Sequence, residues 1–367
     1  MLIVNSRQRT VLSMKLQKIE LTNFRNFSSF STNLDDLAIL VGENGTGKTN
    51  FLESIYFLST SKTFRRGQER QAISWGADFF KIGGKVVARE KKKMTLYLDS
   101  QEKIYQINNK KTYSKDILGQ LPTVLFTAEQ IEAVSGPPSA RRKLFNTVLC
   151  QKDQEYLKNL YNYQRTLFAR NRLLFSLQYT KPDEKQLLFW DKALVGAGKI
   201  LIQTRQKMVE FFNPLLLANW RKVATGFDLV LEYKPSCLAE SLEEELSASH
   251  NHDIEMGQTT KGPHRDDFAL MGGGKPLGVF GSRGEQRSAL LALKLAEKQF
   301  LTGQDLSPIL LLDDVFSELD LCHRKALDDF LDTSQAIFTT TDLHLLPEKL
   351  VKKAQIITLN KESRGES

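Results

Sequence analysis

The sequence predicts an α/β protein: a P-loop head built on a parallel sheet, joined to a second, mainly helical lobe that forms a short arm. Three stretches carry this expectation. "LAILVGENGTGKTNFLESIYFL" (37–58) reads as strand, glycine-rich loop and helix. "PILLLDD" (308–314) reads as a strand apolar on both faces that ends on two acids, the pattern of a buried parallel strand. Between them, "QEYLKNLYNYQRTLFARNRLLFSLQ" and "EKQLLFWDKALVGAGKILIQTRQKMVEFF" place apolar residues at helical spacing on either side of "YTKPDE".

The strand pattern begins after Met14, so residues 1–13 read as a disordered leader or a misassigned start. Residues 14–126 with 303–367 are expected to form lobe I. There "KIGGKVVARE", "KMTLYLDS" and "KIYQINNKK" alternate as antiparallel strands do, and "QAIFTTT" and "AQIITL" return strands to the first sheet. Residues 127–302 are expected to form the helical lobe II. Its two long helices are read as an antiparallel hairpin turning at Pro182 and Asp183, with a stripe through Leu157, Leu160 and Tyr161 and then Leu194, Gly198 and Leu201. The 41% hydrophobic content of 367 residues suffices for such a core. No apolar run approaches the roughly 20 residues that span a bilayer. Cys150, Cys237 and Cys322 stand far apart with no CxxC pair, which argues against a disulfide framework and for a reducing, cytoplasmic setting. A net charge of +8 permits a polyanionic partner without proving one.

Gly42, Gly47, Lys48 and Thr49 satisfy G-x-x-x-x-G-K-[ST]. Glycines reach backbone angles closed to other residues, so the loop Gly42, Glu43, Asn44, Gly45, Thr46 and Gly47 can turn its N–H groups onto phosphate oxygens. The helix that starts at Lys48 adds its positive dipole end. Lys48 is expected on the β- and γ-phosphates of ATP, as a catalytic as well as a binding residue, and the Thr49 hydroxyl on Mg²⁺. Asp313 is the second expected Mg²⁺ ligand, and Asp314 the acid that orients or deprotonates water. The bland alternatives are a chance glycine turn and a helix N-cap made by the two acids.

Upstream of the acids, "FGSRGEQRSALLALKLAEKQFL" sets Ser282 and Gly284 before a long patterned helix. Ser282 or Ser288 as a plain cap is the structural alternative. The order of parts (phosphate loop, S-x-G-x-Q, acidic strand end, "SELD") is that of an ABC-type ATPase head. In that architecture the serine–glycine motif of one subunit closes on the nucleotide held by another, so the site is made by an ATP-induced homodimer.

With "LTNFRNF", "VGENGTGKTNFLESIYFLSTSKTFR", "GPHRDDF", "GSRGEQRSALLALKLAE" and "LLLDDVFSELD", nearly everything after Met14 resembles the RecF family, bacterial recombination and gap-repair proteins related to SMC heads. The resemblance implies ATP-dependent binding of duplex DNA near junctions with single strand, slow DNA-stimulated ATPase, and RecO and RecR as partners in loading recombinase. Glu285 stands where a transporter has glutamine, and Asp314 where glutamate is usual. The shorter carboxylate fits slow hydrolysis. The rival readings are the ATPase subunit of a membrane transporter and a nucleotide-gated DNA clamp with negligible turnover. Glu129 and Thr341 fall where γ-phosphate-sensing and switch residues are expected. Lys62, Arg65, Arg66, Arg141, Arg142 and Lys143 are candidate DNA-phosphate contacts. Each basic cluster alone reads more readily as a solvated face, and the resemblance reverses that weighting for the set and not for any single residue. His264 could approach nucleotide or DNA or belong to a loop after a glycine–proline turn. His250 and His252 fit a solvated loop better than a metal site.

Overall fold

The structure, a computed structural model, describes residues 14–65, 67–88, 90–179, 184–303, 307–317, 323, 331 and 334–360. The expected leader, Arg66, Cys322 and the Pro182–Asp183 turn lie outside them. The chain divides into two compact units, residues 1–129 with 297–367 and residues 130–296.

The first unit holds two sheets. Strands β1 (Lys15–Phe24), β2 (Phe27–Asn33), β4 (Phe79–Val87), β5 (Lys91–Asp99), β6 (Lys103–Ile107) and β7 (Lys110–Thr112) form an antiparallel sheet in the order β2-β1-β4-β5-β6-β7. Alternation decides which residues point inward. After an irregularity between Leu16 and Lys18, the side chains of Ile19 and Leu21 enter the core, and past Asn23, whose φ is 53°, Phe24 does so as well. Phe24 meets Phe80 edge-on, 5.2 Å between centroids. The second sheet runs β14-β3-β13-β12-β8 and is parallel throughout: β3 (Leu37–Val41), β8 (Thr123–Phe126), β12 (Ile309–Asp313), β13 (Ala336–Thr340) and β14 (Gln355–Thr358). Helix α1 (Lys48–Thr60) packs against strands of both sheets. The sequence suggests an apolar-faced helix. With a sheet on either side it is instead buried nearly all round, through Phe51, Leu52, Ile55, Phe57 and Leu58. Short helices α2 (Ser114–Ile117) and α11 (Glu348–Val351) complete the unit.

The second unit is mostly helical: α3 (Glu132–Ser135), α4 (Pro138–Lys152), α5 (Gln154–Leu177), α6 (Glu184–Val223), α7 (Leu242–Ala248), α8 (His250–Met256), α9 (Leu277–Phe280) and α10 (Arg283–Leu301), whose last turn belongs to the first unit. A small antiparallel sheet, β11-β10-β9, comprises β9 (Leu229–Lys234), β10 (Asp267–Gly272) and β11 (Lys275–Pro276). Asp153 caps α5 by accepting from the N–H groups of Glu155 and Tyr156. Helix α6 runs past the expected end at Phe212 and carries Pro214 inside it. Leu194, Gly198 and Leu201 are buried as the stripe predicts. On α5 the buried stripe is Tyr156, Tyr163, Arg170, Leu174 and Leu177. Leu160, four residues after Tyr156 and three before Tyr163, falls on this face half-buried, Leu157 is half-buried, and Tyr161 is exposed. Arg170, a charged residue that a hydropathy pattern places outside, sits fully buried, with Nε 2.7 Å from Asp191 and Nη1 2.7 Å from Asp253. It ties α5 to α6 and α8, and it also donates to Thr259. The stretch "HNHDIE" is therefore helix α8 and not a solvated loop. His250 Nε2 lies 2.6 Å from Asp191.

Candidate nucleotide site

The order β3-β13-β12 sets the loop after β3 beside the acids that end β12. Register does the rest: Asp313 is level with Thr339, and Thr339 with Leu40. At this C-terminal edge the Thr49 hydroxyl reaches both carboxylate oxygens of Asp313, at 3.0 and 2.9 Å. Open α/β sheets gather ligands at this edge.

The loop's glycines are required sterically. A side chain on Gly42 would come 2.5 Å from the carbonyl oxygen of Leu359, and one on Gly47, whose φ is 109°, would come 2.4 Å from Asn26. Gly45 has φ 80°. Glu43, Asn44 and Gly45 form the exposed rim. Thr46 turns inward and closes the loop with its hydroxyl on the Glu43 carbonyl, 2.9 Å. The first helical bond runs from Phe51 N–H to Gly47, so the first-turn amides have no carbonyl one turn back to bond. The Lys48 ammonium donates to the carbonyls of Gly42 and Glu43, 2.6 and 3.0 Å. Burial lowers the Lys48 pKa, and the charges of Asp314 and Asp313 partly restore it. Burial likewise raises the Asp313 pKa. Hydrogen bonds from Thr339 and Thr49 pull it back, while Glu129 and Asp314 add to the rise. A buried cation thus lies near the Asp313 and Asp314 carboxylates, beside helix amides with no carbonyl one turn back.

A hydroxyl and carboxylates make an oxygen-only donor set, which suits a hard cation such as Mg²⁺. Among the described residues no three His, Cys, Asp or Glu side chains converge as a metal cage. Mg²⁺ binds through one or two carboxylates and takes its other ligands from water and phosphate, so two protein ligands are chemically sufficient.

Two residues that sequence reasoning passed over organise the site. Asn26, in the turn between β1 and β2, donates to the Thr46 carbonyl at 2.9 Å and accepts from Asn50 at 2.6 Å, bracing loop and helix together. Thr339 donates to Asp313 at 2.7 Å and accepts from the Asp314 N–H at 2.9 Å. It holds both acids, and Asp314 sits in the left-handed region at φ 50°. The expected switch residue Thr341 is exposed beyond the strand, whereas Thr339 and Thr340 are buried within it. "TTT" gave no means of telling which threonine points inward. Only the parallel register does.

In the second unit Ser282 opens α10. Its N–H and hydroxyl both bond Glu285, at 2.7 and 2.8 Å, and the Glu285 N–H returns to the hydroxyl at 3.3 Å: a capping box. These bonds lower the Glu285 pKa. Ser282, Arg283 and Gly284 are exposed, and a side chain on Gly284 would meet nothing within 4 Å.

The basic candidates divide. Lys62 and Lys143 are exposed. Arg65 lies 3.6 Å from the buried Glu53, which also pairs with Arg25 at 2.6 Å. Arg141 makes a two-pronged pair with Asp267, both bonds 2.8 Å, and Arg142 donates to the Asp266 carbonyl at 2.6 Å. "GPHRDDF" is chiefly a structural hub. The buried Asp266 accepts from Arg205, Tyr233 and the Ser236 N–H. His264 lies between the Tyr163 hydroxyl, 2.8 Å, and the Thr259 carbonyl, 2.9 Å, and burial lowers its pKa to about 4.

Residues 15–363 match the family model of the RecF/RecN/SMC N-terminal domain. The DNA replication and repair protein RecF of Moorella thermoacetica is 34% identical over 94% of each chain. That of Halothermothrix orenii is 35% identical over 91% of this chain and 94% of its own. The solved structure of the recombination mediator protein RecF-ATP in the RecFOR pathway superposes with a TM-score of 0.88, at 29% identity over 93% of this chain and 95% of that one. The chain belongs to the RecF family of DNA replication and repair proteins.

Proposed function

We propose that this chain is an ATP-gated DNA-binding protein of recombinational gap repair. One observation carries the nucleotide half of this reading: the Thr49 hydroxyl on the Asp313 carboxylate beside the Lys48 ammonium. The loop and first-turn amides bind the phosphates of ATP. Thr49 and Asp313 would hold Mg²⁺, which would neutralise phosphate charge. Lys48 turns from the Gly42 and Glu43 carbonyls to the phosphate oxygens. Asp314, fixed through its N–H to Thr339, orients the attacking water, and its short side chain fits slow turnover.

Gly284 supports the dimeric half. With open space at its Cβ, this chain's own packing gives no reason for it. Close approach of a second subunit's nucleotide does. Duplex DNA near a junction with single strand is then held by the ATP dimer and released on hydrolysis. RecO and RecR are the partners the family implies. Among the described residues no helix is long and apolar enough to cross a membrane.

Light scattering with Mg²⁺–ATP, Mg²⁺–ADP and gapped DNA tests the proposal. The mass should double with ATP and not with ADP, and gapped DNA should favour the dimer. A monomer under all conditions would refute the ATP-gated dimer.

A further inference from the structure

The arm helix α5 carries a surface that nothing in the nucleotide site uses. Lys158, Tyr161, Arg165, Phe168, Arg172, Phe175 and Tyr179 recur every three or four residues and are all exposed. Residues at this spacing fall on one helix face. The aromatic members are large and bare: Tyr161 is 62% exposed, Phe168 66%, Phe175 59% and Tyr179 78%. The opposite face of α5, Tyr156, Tyr163, Arg170, Leu174 and Leu177, is the one its neighbours bury. The stripe is therefore not a misjudged core. At 1.5 Å per residue its helical part, Lys158 to Phe175, runs about 26 Å, and Tyr179 follows just past the helix end at Leu177.

Its charge is single-signed. From Tyr156 to Pro182 the sequence contains no Asp or Glu. Among the described residues none of Lys158, Arg165 and Arg172 has an acidic partner. Asp191 across the hairpin is already committed to Arg170 and His250. Leaving four aromatic rings in water is unfavourable, and a run of cations without counter-charges gains nothing for the fold. Cations alternating with flat rings along one helix face match one kind of partner: a flexible polyanion with a flat group at each repeat.

We propose that this face of α5 binds single-stranded DNA, the rings stacking on bases while Lys158, Arg165 and Arg172 neutralise phosphates. The inference rests on the gap-repair reading above and adds to it the surface that takes the unpaired strand. Stacking is tolerant of sequence because every base has a π-face. A duplex hides those faces, so the stripe discriminates single strand from duplex, which the cations alone do not.

The full chain with oligo(dT), gapped duplex and blunt duplex tests this. Two variants separate the contributions. Lys158→Ala/Arg165→Ala/Arg172→Ala should lower the salt slope for oligo(dT) by about 2, three phosphates at roughly 0.7 each. Phe168→Leu/Phe175→Leu keeps apolar bulk and loses stacking, so it should weaken oligo(dT) binding on the order of ten-fold or more with the slope unchanged. Blunt-duplex binding and ATP binding should stay as in wild type for the leucine variant, which also reports that it has folded. Phe168→Trp should retain affinity, with its fluorescence quenched by oligo(dT). An unchanged slope in the triple variant overturns the proposal. So does wild-type binding by the leucine variant, because leucine satisfies a protein groove and not a base stack. If wild type binds gapped and blunt duplex while the variants match it throughout, only the stripe assignment fails. If wild type binds no DNA at all, the gap-repair reading fails with it.

Discussion

At the scale of single residues the site depends on small differences in reach. Lys48 fits among the carbonyls of Gly42 and Glu43 as a compact ammonium. A guanidinium is planar and wider, so Lys48→Arg keeps the charge and loses the fit. ATP hydrolysis is expected to fall by an order of magnitude or more at unchanged melting temperature, and near-normal turnover would take Lys48 out of the site. Asp313 and Asp314 are adjacent in sequence but differently held. Asp313 accepts from Thr49 and Thr339, whereas Asp314 is anchored through its backbone. Asp313→Asn should therefore weaken Mg²⁺–ATP binding, measured by calorimetry. Asp314→Asn should bind and dimerise yet turn over poorly. Identical ATP affinities in the two variants would show that the division of labour is mistaken. The motif residues were readable because their chemistry fixes their type: glycine where Gly47 adopts φ 109°, a hydroxyl where Thr49 meets a carboxylate. Asn26 and Thr339 were not, because nothing local to "FRNF" or "IFTTT" says what lies across the sheet.

At the scale of elements, strands and helices followed their periods, and the departures came where charge was buried. The buried face of α5 departs from a hydropathy pattern where Arg170 takes a core position beside Asp191 and Asp253. "HNHDIE" looked like a polar loop for the same reason: Asp253 is fully buried and bonds Arg170 and Thr260. His264 gives this arrangement a pH signature. The Thr259 carbonyl can only accept, so His264 Nε2 donates to it and Nδ1 accepts from the Tyr163 hydroxyl. The folded ring is neutral, and its pKa falls from 6.5 to about 4. The unfolded chain therefore takes up a proton at higher pH than the folded one. The contribution is fully present above about pH 6.5 and is lost as pH falls toward about 4, by roughly 3 kcal/mol at most. Urea midpoints measured between pH 7.5 and 5 should drop for wild type and drop less for His264→Gln. Equal pH dependence in the two proteins would assign the acid sensitivity to other groups.

At the scale of the whole molecule, the phosphate loop belongs to one compact unit and the serine–glycine helix start to the other. In an ABC-type dimer each half completes its counterpart in the second subunit, and Ser282→Arg probes that directly. Ser282 is exposed, and among the described residues its hydroxyl is engaged with Glu285, one turn on in its own helix. Losing that cap costs about 1 kcal/mol, too little to unfold a chain of this size. Gly284 beside it leaves open space. An arginine there therefore projects into solvent in the monomer and into the interface in the dimer. The variant's own phosphate loop is untouched, so it should bind ATP with wild-type affinity and remain a monomer at concentrations where wild type doubles in mass. Ser282→Ala separates bulk from hydrogen bonding. It lacks the cap but obstructs nothing, so it should still dimerise, more weakly. A wild-type dimer in Ser282→Arg would place the interface elsewhere, and loss of ATP binding by the monomer would mean that Ser282 serves its own subunit's nucleotide.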